Sequence, residues 1–122
     1  MRKSVLAVAF GVVLGGGAAT ASAGQYDAMV GKWAWQAFTI EVSESADHGV
    51  SAEVVAGPKN VGMEMIQSDL TKKDGAFVGK VKHPANGKVY NTRISRQGAD
   101  AWKLNGCTDG GACASGVFER VE

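Results

Sequence analysis

The chain has 122 residues, 20% of them charged, and a formal net charge of +1. That length accommodates one domain with a modest core and no second one, and the near-neutral balance removes bulk charge as a means of recruiting nucleic acid.

The first segment reads as an export signal. "MRKS" supplies positive charge, "VLAVAFGVVLGGGAA" an apolar run, and Ala21-Ser22-Ala23 a small-residue cleavage site. The strictly apolar stretch is shorter than the roughly 18 residues of a membrane span and is diluted by Gly15, Gly16 and Gly17, so no transmembrane anchor is expected. No cysteine follows either small-residue motif, Ala19-Thr20-Ala21 or Ala21-Ser22-Ala23, which leaves a lipid anchor unsupported. Cleavage after Ala23 leaves 99 residues with 11 basic and 12 acidic side chains, a net charge of −1, placed in the periplasm or outside the cell.

The remainder reads as strands and turns. "WAWQAFTIEV" alternates through Trp33 and Trp35, then shifts phase to Phe38, Ile40 and Val42, which predicts a bulge or tight bend near Gln36-Ala37. "GVSAEVVA" predicts a strand before the break at Gly57-Pro58. Asp74-Gly75 and Asn86-Gly87 predict two-residue turns, and Gln97-Gly98-Ala99 a three-residue loop. In that register Val81 faces Thr92, Gly79 faces Ile94, and His83 faces Tyr90. Ile94 then faces Trp102, Thr92 faces Leu104, and Arg96 meets Asp100 as an ion pair, while Asp69 meets Lys80 on the outside. Phe77, Val81, Tyr90, Ile94, Trp102 and Leu104 share one apolar face with Leu70 and Ile66; Lys80, Lys82, Asn91 and Arg93 share the other. With the closing "GVFERV", seven or eight strands form an all-β, up-and-down antiparallel barrel.

Cys107 and Cys113 flank a Gly-rich loop, and in an exported chain two cysteines point to a disulfide. A zinc site would need two further ligands, and His48 and His83 are distant in sequence; a redox pair would normally have two residues between its thiols, whereas five stand here. No metal site is expected.

Gly31-Lys32-Trp33 at the first strand, together with Arg120 on the last, resembles the Gly-x-Trp and terminal Arg pair of lipocalin-like calycin barrels. That resemblance implies Arg120 packed on the Trp33 face where the barrel closes, a structural role for Gly31, Trp33 and Arg120. Across nearly the whole mature chain, "HPANGKVYNTRI" and "WKLNGCTDGGACASGVFERV" resemble the exported family described as domain of unknown function 2147. His83 stands where that family carries Asp, and Phe118 where it carries Trp, while Asn86-Gly87-Lys88, Tyr90, both cysteines and Arg120 match. The resemblance implies a calycin-like barrel of the cell envelope and brings no catalytic residues.

Two functional readings follow. A barrel of this kind either holds a small apolar or amphipathic ligand, with Tyr90, Trp102, His83, Phe77 and Ile94 as candidate contacts, or is filled by its own side chains and docks on an envelope protein or cell-wall polymer. Tyr90 and His83 lie at a hairpin end, where a mouth would open. Lys80, Lys82, Arg93 and Lys103 form a basic stripe best read as a solvated outer face. Met63 and Met65 read as core or pocket-edge residues, and Asp47-His48 as surface. No nucleophile elbow, zinc-binding helix motif or phosphate loop is present, so no enzyme activity and no cofactor are expected; a cross-strand carboxylate pair such as Glu53 with Glu64 is not visible at this level.

Overall fold

The computed structural model describes residues 24–121; the export signal predicted at residues 1–23 lies outside them. A 3₁₀ turn at Asp27–Met29 precedes eight strands. They are β1 (Gly31–Trp35), β2 (Phe38–Ser45), β3 (Gly49–Ala56), β4 (Thr71–Lys73), β5 (Ala76–Lys82), β6 (Val89–Arg96), β7 (Ala101–Cys107) and β8 (Cys113–Arg120). All pairings are antiparallel, in one sheet of order β3-β2-β1-β8-β7-β6-β5-β4, so the chain's two halves meet where β1 pairs with β8. The sheet curls, as alternating strands with one apolar face must if that face is to leave water.

Residues 62–67 span the gap between β3 and β5. Val54 N–H donates to Met63 O at 3.0 Å and Met65 N–H to Ala52 O at 2.8 Å on one side; Lys82 N–H donates to Met65 O at 2.7 Å and Gln67 N–H to Lys80 O at 2.9 Å on the other. Glu64 secures the bridge: its carboxylate accepts from Ala52 N–H at 2.8 Å, Ile66 N–H at 2.9 Å, and the Ser51 hydroxyl. Glu53 is its antiparallel bridge partner, but Glu64's oxygens are engaged in holding this segment.

Turn chemistry separates the register expectations. At Asp74-Gly75 both residues have positive φ (52° and 81°), the twist that joins strands in a two-residue hairpin, and Thr71 faces Val78 as that turn requires. At Asn86-Gly87 the hairpin is two residues out of the expected register: Val81 faces Tyr90, Gly79 faces Thr92, and Phe77 faces Ile94. Pro84 has no N–H to extend the ladder, and the chain forms a six-residue loop instead, with Gly87 N–H donating to His83 O and His83 N–H to Lys88 O, both at 2.8 Å. The next loop also lengthens. Gln97 N–H donates to Ala101 O at 2.8 Å, and Arg96 faces Trp102, Ile94 faces Leu104 and Thr92 faces Gly106. Asp100 is drawn to the last strand: its carboxylate lies 3.3 Å from Arg120 Nε and its carbonyl accepts Arg120 N–H at 2.9 Å, so the expected pair with Arg96 does not form. Asp69 likewise binds His48 Nδ1 at 2.9 Å in place of Lys80, whose ammonium donates to Asn91 Oδ1 at 2.9 Å. Both register shifts are by two residues, so every side chain keeps its face.

The bend expected near Gln36-Ala37 is a full reversal: Trp35 faces Phe38 across it, with Gln36 at φ 54°, and the register irregularity falls at Thr39 and Ile40. The interior is packed by Trp33, Phe38, Ile40, Val54, Met65, Phe77, Ile94, Trp102 and Phe118, all buried. Tyr26 and the 3₁₀ turn cover one end, where the Tyr26 hydroxyl donates to Leu70 O at 2.7 Å and its ring packs 5.2 Å from Phe77.

Candidate functional site

The opposite end of the barrel is built by the ends of β1, β5 and β7 and the starts of β6 and β8. Here Trp35 is the hub. Its ring meets His83 edge-on at 4.5 Å, stacks on Phe118 at 5.4 Å and lies 6.3 Å from Phe38, while His83 is 5.7 Å from Tyr90. Offset and edge-to-face arrangements match the charge distribution of aromatic rings, and each such pair contributes about 1 kcal/mol beyond simple burial. Trp35, His83, Tyr90 and Phe118 line a cavity of about 40 Å³ together with Met65, Val81, Thr92 and Leu104.

Its polar groups are few and positioned. His83 Nδ1 accepts the Ala85 N–H at 3.0 Å, which leaves Nε2 as the protonated nitrogen of the neutral ring. Burial lowers the His83 pKa below its ordinary value and favours that neutral form. The Tyr90 hydroxyl accepts Asn86 Nδ2–H at 3.0 Å, and Asn86 Oδ1 accepts Lys88 N–H at 2.8 Å, so the loop conformation places the phenol. Thr92 is buried with its hydroxyl satisfied by Tyr90 O at 3.0 Å.

A second cavity, also about 40 Å³, lies deeper among Met29, Trp33, Val42, Ile66, Ile94 and Trp102. Met65, Val81, Leu104 and Phe118 line both cavities and stand between them. Among the described residues, the Trp102 indole nitrogen is the one buried side-chain nitrogen or oxygen without a hydrogen-bond partner.

The five candidate ligand contacts therefore divide. His83 and Tyr90 line the mouth cavity, Ile94 and Trp102 the inner one, and Phe77 packs against Tyr26 and Trp102, 6.2 Å from the latter. Trp35 and Phe118 were missing from that set. Trp35's inward alternation with Trp33 was the available signal, but closeness to His83, 48 positions away, depends on barrel closure.

Cys107 and Cys113 form a disulfide across the first rung of the β7–β8 hairpin at this same end. At the β1–β8 seam Trp33 and Arg120 are register partners, and the Arg120 guanidinium lies over the indole. The basic stripe faces outward, with Arg93 donating to Asp74 O at 3.2 Å. Among the described residues no group of three or more His, Cys, Asp or Glu side chains is placed to hold a metal ion, and no helix is long and apolar enough to cross a membrane.

No family model matches the chain, and no curated protein matches it. Among solved structures it is similar to protein HP1028 from the human pathogen Helicobacter pylori, described as belonging to the lipocalin family, with a TM-score of 0.56 and 16% sequence identity over 76% of this chain and 82% of that one. The curled eight-stranded antiparallel sheet of this chain is thus a lipocalin-like fold.

Proposed function

We propose that this protein is a non-catalytic, exported binding protein that receives a small apolar or amphipathic molecule at the mouth framed by Trp35, His83, Tyr90 and Phe118. The observation that carries this reading is the aromatic wall itself: four rings converge at one end of the barrel around a cavity with few polar groups, the composition of a site that binds by apolar contact and orients by one or two hydrogen bonds. Lipocalin-like barrels are wide enough to hold one small ligand, and the similarity to a lipocalin-family structure supports that use of the fold. Export is supported by the signal-like N-terminus and by the disulfide, a bond that persists in oxidising compartments. The resemblance of its sequence to domain of unknown function 2147 supports a location in the cell envelope.

A second reading rests on the small size of both cavities, about 40 Å³ each. In it the barrel is filled by its own side chains, and its outer face or disulfide loop docks on an envelope protein.

Native mass spectrometry of protein exported by its own signal, then incubated with envelope lipid extract, tests the two. Binding gives a discrete added mass that vanishes on denaturation and is reduced by Trp35→Leu. A bare protein throughout sinks the binding reading in favour of the docking module.

A further inference from the structure

Charge is sorted across the barrel wall. β4, β5, β6 and β7 contain no Asp or Glu; every charged residue in them is Lys or Arg. β1, β2 and β3 carry Glu41, Glu44 and Glu53 against a single cation, Lys32. The sheet order keeps β7-β6-β5-β4 together and β3-β2-β1 together, so the two groups occupy separate sides of the molecule with β8 between them. Solvated surfaces ordinarily intersperse both signs, and solvation alone does not account for a basic side on a chain this close to neutral.

The basic side is the outer one. Phe77, Val81, Tyr90, Ile94 and Trp102 are buried, and Lys80, Lys82, Asn91, Arg93, Lys103 and Asn105 alternate with them and point outward. Lys80 faces Asn91 and Arg93 faces Asn105, so cations and amides interleave on adjacent strands. An open groove of about 640 Å³ crosses this patch, lined by Ser68, Val78, Lys80, Asn91, Arg93 and Asn105. Its cations keep their charge: Lys80 donates to Asn91 Oδ1 and Arg93 to the Asp74 carbonyl, both neutral acceptors. Two carboxylates border the groove, Asp69, which is bound to His48, and Asp109, which accepts from Asn91 Nδ2 at 2.9 Å. With Lys82 and Lys103 flanking it, the patch retains a positive excess.

We propose that this outer face binds a linear polysaccharide bearing carboxylates, a polyuronate, whose acid groups meet Lys80, Arg93 and Lys103 and whose hydroxyls bond the amides of Asn91 and Asn105. The site is separate from the mouth and does not depend on it. One exposed ion pair contributes little, so affinity here needs several charges engaged at once, which the repeated acid groups of a polymer supply. A bilayer fits less well. The outer side of a curled sheet is convex and meets a plane over a small area, and no outward residue of β4 to β7 is aromatic, Leu, Ile or Met, the side chains that enter the acyl boundary.

The test is calorimetric and NMR titration of the folded protein with polygalacturonate, with neutral dextran and phosphatidylglycerol vesicles as comparisons. Polygalacturonate should bind and dextran should not, and raising NaCl from about 0.05 M to about 0.5 M should weaken binding about tenfold. Amide shifts should fall on β5 to β7 and include the side chains of Asn91 and Asn105. Lys80→Gln combined with Arg93→Gln should weaken binding about tenfold, whereas Glu41→Gln combined with Glu53→Gln, on the acidic side, should change it by less than about twofold. The wild-type shifts decide the location even if a variant folds poorly. Shifts confined to the mouth or to β1 to β3, or equal binding of dextran, overturn the proposal. Binding to the vesicles without binding to the polymer overturns the polysaccharide in favour of a membrane surface, and binding to neither removes this face as a docking site.

Discussion

The guanidinium of Arg120 lies 4.3 Å over the ring of Trp33, on the strand pair where the first and last strands join. Its two terminal nitrogens donate to the carbonyls of Val30 and Ala28, each at 3.0 Å, and the Trp33 indole N–H donates to Met29 O at 2.8 Å. One arginine thus couples the barrel seam to the 3₁₀ turn that covers its closed end.

Arg120→Ala removes the stacking and both carbonyl contacts, and should destabilise the protein by about 2 kcal/mol in urea denaturation. Arg120→Lys keeps the charge but not the planar fork, so it should recover only part of the loss. Equal stability of the lysine variant and the wild type would show that charge alone is at work.

Replacing Cys107 and Cys113 together by Ser frees a short ring and should cost about 2 kcal/mol, lowering the melting temperature by about 10 °C. The fold should survive, because the β7–β8 ladder continues from Gly106 and Ala114 to Ala101 and Glu119. Far-UV circular dichroism and a thermal melt check both statements.

Gly116 faces Trp35 so closely that a Cβ there would overlap the indole Nε1 and lie 2.8 Å from Cε2. Gly116→Ala should therefore displace Trp35 at a cost of about 2 kcal/mol and weaken mouth binding. A red-shifted tryptophan emission together with a lower denaturation midpoint is the expected signature; an unchanged midpoint would mean the ring yields freely.

Burial lowers the His83 pKa in the folded protein, so below pH 6.5 the unfolded chain takes up this proton more readily than the folded one. The associated stability is complete above the unfolded value and is lost as pH falls from there through the lower folded value. Protonation also removes the Nδ1 lone pair that accepts the Ala85 N–H. Melting temperature should fall on acidification in that window, and His83→Gln should flatten the slope; an identical slope in the variant would remove His83 from the account.

What the sequence could determine is local in physical origin. Alternation decided which face each of Phe77, Val81, Tyr90, Ile94, Trp102 and Leu104 presents, because side chains on a strand alternate whatever the register. Asp74-Gly75 specified its own hairpin, since two adjacent residues with positive φ leave few other turns. The cysteine pair was legible because a short separation and an oxidising compartment suffice to join two thiols. Long-range choices were not legible. Pro84 and the pull of Arg120 on Asp100 lengthened two loops and moved two registers by two residues, outcomes that depend on partners elsewhere in the chain. Only closure of the sheet set Trp35 against His83 and Phe118, Met65 between two cavities, and the Trp102 indole N–H where no acceptor reaches it. A curled sheet brings together residues from both ends of the chain, and that proximity is a property of the closed surface that no single strand encodes.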